Sequence, residues 1–273
     1  MWLFRKILKF YIEASIHVAI SVACLTALTF EKFQIPLDID LCIVAFLATI
    51  SSYNFMKYAT NAQSYFRVHG VYLKFIQGVS ILCTIIMIVL MFFLSLRVLM
   101  VLALSSVFTA IYALPLLPGN KSFRSLHGLK IYMVGFCWAL ITVIIPVVDD
   151  HESLSLDVWI EFVQRFLVVV VLIIPFDIRD LKDDSLSLGT LPQQIGVNNA
   201  KRVGYAAMLL FLGFTFFKTD VLVKEVVVMS VVTLLTVLAL YFAKEKQPEF
   251  YCGFWVESIP IIWFVAYLLL PAF

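Results

Sequence analysis

The chain has 273 residues, of which 63% are hydrophobic and only 14% are charged, and its net charge is +2 at neutral pH. A soluble domain of this length needs a largely polar surface around its core, which this composition cannot supply. The composition therefore excludes a soluble globular protein, and the lack of a dense basic run excludes a nucleic-acid partner. The sequence predicts an integral membrane protein in contact with lipids, with a single polytopic domain over residues 1–273.

Apolar segments of about 20 residues recur along the chain, which is the length that an α-helix needs to cross a bilayer. They lack the alternating pattern of a transmembrane β-barrel, so we expect every span to be helical. The fold class is therefore predicted to be all-α, with nine transmembrane helices. The nine predicted spans cover approximately residues 13–30, 38–57, 76–95, 98–117, 128–148, 158–176, 202–217, 221–243 and 252–271.

Basic residues are distributed unevenly between the two sides that nine spans define. About three quarters of the 20 Lys and Arg residues fall on the side of the N-terminus, and cytoplasmic segments carry such an excess. We therefore expect a cytoplasmic N-terminus in a multi-pass protein of a bacterial inner membrane. The loops after the second, fourth and sixth spans then also face the cytoplasm.

A charged cluster with four Asp residues follows the sixth span at Asp177–Asp184. If the helix continues, Asp177, Asp180 and Asp184 lie on one face, because residues three, four and seven apart share a face. Carboxylates placed in this way can hold Mg²⁺, which binds one or two carboxylates together with waters and substrate phosphates. The cluster therefore predicts a metal-dependent phosphate site at the edge of the membrane.

The basic residues of the cluster, Arg179 and Lys182, can contact phosphate oxygens directly, and Arg can donate two parallel hydrogen bonds. Just before the cluster, Pro175 is predicted to bend or end the sixth span and so to open its last turn. The charges alone leave an alternative open, which is a solvated loop that merely ends a helix.

The cluster and two other segments resemble a known family. Asp177–Asp184, followed by Gly189–Pro192, resembles the second aspartate motif of the UbiA prenyltransferase superfamily. Tyr112–Pro115 and Gly128–Lys130 are similar to the family's stretch between the fourth and fifth spans. Nine spans with cytoplasmic aspartate motifs also fit this family, so the resemblance extends over most of the chain and implies a UbiA-like bundle.

The resemblance implies an intramembrane transferase that moves a prenyl group from an isoprenoid diphosphate to a lipophilic acceptor. It implies Mg²⁺ as the cofactor, with Asp180 and Asp184 as the catalytic and metal-binding residues. It also implies that Asp177, Arg179 and Lys182 belong to the substrate-binding set. In such a reaction the bond to the allylic carbon ionises as the diphosphate is neutralised, and the acceptor attacks the carbocation.

The chain departs from the family at the first aspartate motif, which should follow the second span. Asn54 is kept, but Phe55, Tyr58 and Ala62 occupy the positions of the carboxylates. One Mg²⁺ ion therefore lacks its ligands, and a single metal site is the expectation.

Two basic residues near the altered motif, Lys57 and Arg67, are candidates to replace the missing metal ion with a fixed positive charge. With Asn54, they complete the predicted substrate-binding set. The alternative is a UbiA-fold protein without standard chemistry, which binds isoprenoids or other lipids or acts as a membrane scaffold. The missing carboxylates favour this alternative, whereas the retained second motif favours activity.

A third interpretation, a small-molecule transporter, predicts charged residues deep in several spans and paired broken helices. Only His17, Arg165 and Glu257 approach this pattern, so this interpretation ranks last. An ionisable residue within a span is still a candidate for function, and Glu257 in the ninth span is such a residue.

Overall fold

The computed structural model describes residues 2–58, 70–113, 128–150, 153–183 and 188–271. Within these ranges the chain forms α-helices and short helical turns and contains no β-strand, which confirms the predicted all-α class. The α-helices of the described ranges are α1 (Trp2–Glu13), α2 (Ile16–Lys32), α3 (Ile39–Tyr58), α4 (Val71–Met91), α5 (Leu96–Ala113), α6 (Leu129–Ala139), α7 (Ile145–Asp149), α8 (Leu156–Arg179), α9 (Leu191–Ile195), α10 (Val197–Phe214), α11 (Val223–Phe242) and α12 (Ile259–Leu269).

Most of these helices are long and apolar, as a bilayer requires of segments that must satisfy their own backbone hydrogen bonds. In the described part of the chain, seven helical segments can cross a membrane by length and composition, and an eighth results if α1 and α2 form one bent span. The apolar part of α5, Leu96–Ala110, is shorter. An integral multi-pass membrane protein is thus confirmed, whereas nine spans, a cytoplasmic N-terminus and a bacterial inner membrane stay predictions.

Two spanning segments contain π-helical turns, and one continues through a proline. A π turn at Leu140–Ile144 joins α6 to α7, and another at Tyr251–Val256 precedes α12. Helix α8 runs through Pro175 to Arg179, so the helix does not end at Pro175 as the sequence allowed. A 3₁₀ turn, Asp180–Lys182, follows α8 directly, and the charged cluster therefore begins inside the helix.

The main core lies where α8 packs against α10 and α11, and residues of α2 and α12 belong to the same hydrophobic cluster. Val168, Phe211, Val228 and Trp263 are each no more than 1% exposed there. On its other side, α8 approaches α6 closely at Gly135, where an added Cβ would lie 2.9 Å from a Val170 methyl group. This close approach brings the start of α6 next to the end of α8, where the charged cluster begins.

The bundle has two chemically different ends. The motif end carries Lys57 at the end of α3, Lys130 at the start of α6 and Asp177 at the end of α8. The far end carries Lys32 at the end of α2 and Glu161 near the start of α8.

Five charged side chains are buried together at the far end, and we call them the ionic cluster. Their side chains are 10% exposed or less. The members of the ionic cluster are Lys32, Glu161, Arg165, Lys218 and Glu225. The carboxylate of Glu161 accepts hydrogen bonds from Lys32 at 2.6 Å, Lys218 at 2.8 Å and Arg165 at 2.9 Å.

Further contacts tie the ionic cluster to the surrounding helices. Glu225 pairs with Lys32 at 2.8 Å and with Lys218. Burial lowers the pKa of the Lys218 ammonium, but the carboxylates of Glu161 and Glu225 outweigh it and raise this pKa above its ordinary value. The Arg165 guanidinium lies 4.8 Å from the Trp263 ring centroid. Buried charges need such complete pairing because their desolvation is expensive.

Candidate functional site

The charged cluster at the end of α8 contains two ion pairs that involve Asp177 and Asp180. Asp177, in the last turn of α8, is fully buried and accepts a hydrogen bond from Lys130 Nζ at 3.1 Å. The two carboxylate oxygens of Asp180 accept hydrogen bonds from Arg179 Nε at 2.6 Å and Nη2 at 2.8 Å. This two-point geometry is the one in which Arg binds either a carboxylate or a phosphate.

The second group of predicted residues lies at the end of α3. Lys57 has an exposed side chain, and its Nζ donates a hydrogen bond to Ser15 Oγ at 2.9 Å. Asn54 is 1% exposed and donates to Ala14 O at 3.1 Å and to Ser80 Oγ at 2.8 Å, while it accepts from Ser15 Oγ at 2.8 Å. The amide of Asn54 thus holds the break between α1 and α2, and through Ser15 it positions Lys57.

Ser15 was missed in the sequence, and it occupies a strained position. It lies in the break between α1 and α2, which meet at 56°, and its φ of 61° is left-handed. Left-handed backbone costs a non-glycine residue roughly 1–2 kcal/mol, and such strain often marks functional positions. The strain is offset here by the two hydrogen bonds of the Ser15 hydroxyl.

Replacing Ser15 with alanine is expected to destabilise the protein by about 1–3 kcal/mol, because Asn54 and Lys57 lose a buried partner. Ser15→Gly loses the same hydrogen bonds but relieves the strain, so it should be about 1 kcal/mol more stable than Ser15→Ala. Thermal unfolding in detergent measures the difference. An alanine variant as stable as the glycine variant would show that the left-handed backbone carries no cost.

Glu257 joins the two groups of charges. It directly follows the π turn before α12, and it interacts electrostatically with both Lys57 and Arg179. The backbone around it is anchored to α2, because Ser21 Oγ donates to Glu257 O and His17 Nε2 is hydrogen-bonded to Ser258 Oγ at 3.0 Å. The charge of Glu257 is therefore coupled to one cation of α3 and one cation of α8.

An apolar cavity of about 380 Å³ lies beside these charges, between α3, α5 and α6. Tyr53 and Trp138 line it, and Trp138 Nε1 donates a hydrogen bond to Tyr53 OH at 2.9 Å. Tyr53 is one helical turn from Lys57 on α3, and Met56 next to Lys57 also lines the cavity. The cavity and the charges are therefore neighbouring parts of one amphipathic site.

The remaining predicted site residues lie elsewhere or outside the described ranges. Lys182 Nζ contacts Glu245 at 2.9 Å on the exposed surface. Asp184 and Arg67 lie outside the described residues. The structure thus pairs Arg179 with Asp180, and it leaves Lys57 and Glu257 in electrostatic interaction with Arg179.

The described residues fit one Mg²⁺ ion better than two. They contain no group of three or more His, Cys, Asp or Glu side chains that could hold a metal ion. Mg²⁺ needs only one or two carboxylates when substrate phosphates and waters complete its shell, so Asp180 suits a substrate-bridged ion. At the first motif, Phe55 supplies no ligand, and Tyr58 OH donates to Glu13 O at 3.2 Å.

Solved structures of UbiA homologues share this fold. A UbiA homologue from Archaeoglobus fulgidus bound to DMAPP and Mg²⁺ is 9% identical, with a TM-score of 0.65 over 95% of this chain and 98% of that chain. An apo UbiA homologue from Aeropyrum pernix K1 is 15% identical, with a TM-score of 0.61 over 95% and 97%. A structure of digeranylgeranylglyceryl phosphate synthase in membranes is 14% identical, with a TM-score of 0.58 over 96% and 97%.

No family model and no curated protein sequence matches the chain. At these identities the similarity lies in the three-dimensional structure. It covers nearly the whole chain, and it confirms at the level of the fold the resemblance seen in the second aspartate motif. The chain therefore has the fold of the UbiA homologues.

Proposed function

We propose that the chain is an intramembrane prenyltransferase that binds an isoprenoid diphosphate at the motif end of the bundle. The observation that carries this proposal is the adjacency of exposed Lys57, one turn from Tyr53, to the apolar cavity. An isoprenoid diphosphate has the same division into a charged head and an apolar chain. Its diphosphate contacts Lys57 and Arg179, and its chain enters the cavity.

The two-point ion pair between Arg179 and Asp180 opens when the diphosphate binds. Arg179 exchanges its carboxylate partner for phosphate oxygens, which present the same two-point geometry. The released Asp180, with Asp184 four residues further on, would hold one Mg²⁺. This ion, when bound, neutralises charge on the leaving diphosphate. Lys57 supplies a positive charge where the altered first motif lacks metal ligands.

The reaction proposed is transfer of the prenyl group to a lipophilic acceptor. The bond between the allylic carbon and its oxygen breaks, and the electron pair leaves with the diphosphate. Lys57 and Arg179 stabilise this developing charge, which is the largest contribution that a fixed site can make. A nucleophilic atom of the acceptor forms a bond to the allylic carbon and passes its proton to the released diphosphate. The apolar cavity keeps water away from the cation.

Among the other predicted ligands, Asp177 with Lys130 borders the site, and Asn54 positions Lys57 through Ser15. We place the motif end at the cytoplasmic side, because the excess of basic residues predicts it. Related folds support the choice of ligand, since a UbiA homologue from Archaeoglobus fulgidus is bound to GPP and Mg²⁺.

A second candidate function is non-catalytic binding of an isoprenoid or another lipid. The ion pairs favour it, because Asp180 is paired with Arg179 and Asp177 with Lys130, so both carboxylates already have cationic partners. Phe55 and Tyr58 in place of first-motif carboxylates point the same way. This candidate predicts binding of the diphosphate without turnover.

Turnover separates the two functions. Native membranes that contain the protein are incubated with geranyl diphosphate and Mg²⁺, and released diphosphate and prenylated lipid are measured. Asp180→Asn is expected to slow diphosphate release about 100-fold, because the charge on the leaving group is no longer neutralised. Asp183→Asn removes the same charge from an exposed neighbour and should leave the rate unchanged.

Binding of a non-hydrolysable analogue without release of diphosphate from the substrate would establish the non-catalytic function instead. Equal rates for wild type and Asp180→Asn would remove Asp180 from the reaction. Loss of folded protein in Asp180→Asn, seen by size-exclusion chromatography, would assign it a structural role.

A further inference from the structure

The apolar cavity has a definite depth, because three helices line it over the same length. The lining falls within Ala48–Met56 on α3, Leu102–Ala110 on α5 and Met133–Ile141 on α6. Each range advances eight residues, which at a rise of 1.5 Å per residue corresponds to a depth of about 12 Å.

The two ends of the cavity differ in exposure. Met56, Ala110 and Met133 lie near the helix termini at the motif end, where Ala110 is exposed and neighbouring Phe55 is 43% exposed. The deep end lies farther into the bundle, and Leu102 there is 8% exposed. A chain would therefore enter from the motif end, with its head at the charges.

Packed side chains close the deep end. Leu102 belongs to one hydrophobic core cluster with Val98, Leu140 and Val143, all of which are 8% exposed or less. From α2, Val22 lines the cavity with 1% of its surface exposed. Protein interiors of this kind are close-packed, so a chain longer than the cavity cannot extend past these residues without displacing them.

The depth limits the number of isoprene units. An extended chain advances roughly 1.2 Å per backbone bond, so a five-carbon unit with four such bonds spans about 5 Å. Two units span about 10 Å and fit a cavity about 12 Å deep, whereas four units span about 20 Å and do not. The volume of about 380 Å³ is at the small end for ligand cavities.

We infer that this site selects isoprenoid diphosphates with a ten-carbon chain over those with a twenty-carbon chain, and that Leu102 and Ala48 set this limit. The inference rests on the proposed function, because it assigns the cavity to the isoprenoid chain. It adds the class of substrate within that function and the residues that determine it.

A series of non-hydrolysable thiolodiphosphates with five, ten and twenty carbons tests this selection on the detergent-purified full chain. The ten-carbon analogue is expected to bind about 100-fold more tightly than the five-carbon one, because it buries one more isoprene unit. The twenty-carbon analogue should bind at least about tenfold more weakly than the ten-carbon one, because its outer units stay in solvent or displace the core.

The outcomes distinguish the inference from the function on which it rests. Equal or tighter binding of the twenty-carbon analogue would overturn the length limit while leaving the diphosphate site in place. A failure of all three analogues, including the five-carbon one, to bind would overturn the proposed function itself.

Two substitutions test the residues that set the limit. Leu102→Ala deepens the cavity and should raise the affinity for the twenty-carbon analogue about tenfold relative to the ten-carbon one. Ala48→Phe fills the deep end and should weaken binding of the ten-carbon analogue while leaving the five-carbon analogue within about twofold. Leu104→Ala is the control, since Leu104 is 46% exposed and does not line the cavity.

Because Leu102→Ala removes core packing, its folding is checked by size-exclusion chromatography, and Ala48→Phe gives an independent answer if it fails. If the folded variants show the wild-type ratio of affinities for the analogues, another part of the molecule limits the chain length. That result would overturn the inference.

Discussion

Replacing Glu161 with glutamine is expected to destabilise the folded protein by about 3–5 kcal/mol, because it leaves buried cations without their counter-charge. Glu161 is the centre of the ionic cluster and accepts hydrogen bonds from Lys32, Arg165 and Lys218. Its side chain is 0% exposed, so water cannot replace the lost charge. Glutamine keeps the shape of the side chain and one hydrogen-bond acceptor. The loss of stability therefore reports on the missing charge rather than on packing.

Thermal unfolding in detergent measures this effect against a matched control. Glu249→Gln removes the same charge from an exposed pair with Arg5, in which the side chains are 42% and 70% exposed. An exposed pair contributes about 0–1 kcal/mol, so this control should unfold close to the wild-type temperature. Equal shifts for the two variants would show that the ionic cluster contributes no more than a surface pair.

A double variant separates the pair energy from other effects of the substitution. Glu161→Gln with Arg165→Met should lose less stability than the sum of the two single losses, because the second change removes one of the stranded cations. Additive losses would mean that Glu161 and Arg165 do not act on each other, despite their 2.9 Å contact.

The helices and the charged cluster at the end of α8 were predictable from the sequence for a simple reason. A bilayer demands about 20 apolar residues per span, so each long helix leaves a local signal in the chain. The charged cluster Asp177–Asp184 is also a local pattern. It comes at the end of the apolar segment that forms α8, so its place in the fold was predictable too. The interruption expected at Pro175 did not end the helix, which continues to Arg179.

The ionic cluster could not be predicted in the same way, because its members come from four separate parts of the chain. Lys32, Glu225 and Lys218 each lie near a helix end, where a charged residue needs no special explanation. Only Glu161 and Arg165 gave a local signal, as a pair four residues apart inside an apolar span. Pairing of that kind argues for structure rather than transport.

The charged residues of the candidate site were predictable from the sequence, but their arrangement in space was not. The electrostatic interactions of Glu257 with Lys57 and Arg179 depend on how α3, α8 and α12 pack. Ser15 left no signal, because a left-handed serine at a helix break is defined by tertiary contacts. The cavity likewise depends on packing, since its lining comes from helices far apart in the chain.

Replacing Lys57 or Arg179 with glutamine is expected to weaken binding of an isoprenoid diphosphate by about 10- to 100-fold each, because each loses a charge-assisted hydrogen bond to phosphate. Arg179→Lys keeps the charge but loses the two-point contact, so it should lie between wild type and Arg179→Gln. Lys246→Gln is the control, as it removes an exposed charge after α11, at the same end of the bundle.

The most direct measurement of the proposed site is calorimetric titration of the purified protein with geranyl thiolodiphosphate and Mg²⁺, for wild type, Lys57→Gln, Arg179→Gln and Lys246→Gln. We expect saturable binding to wild type and Lys246→Gln, with the stated losses in the other two variants. Equal affinity in all four proteins, or no binding to folded wild type, would contradict a diphosphate site between α3 and α8.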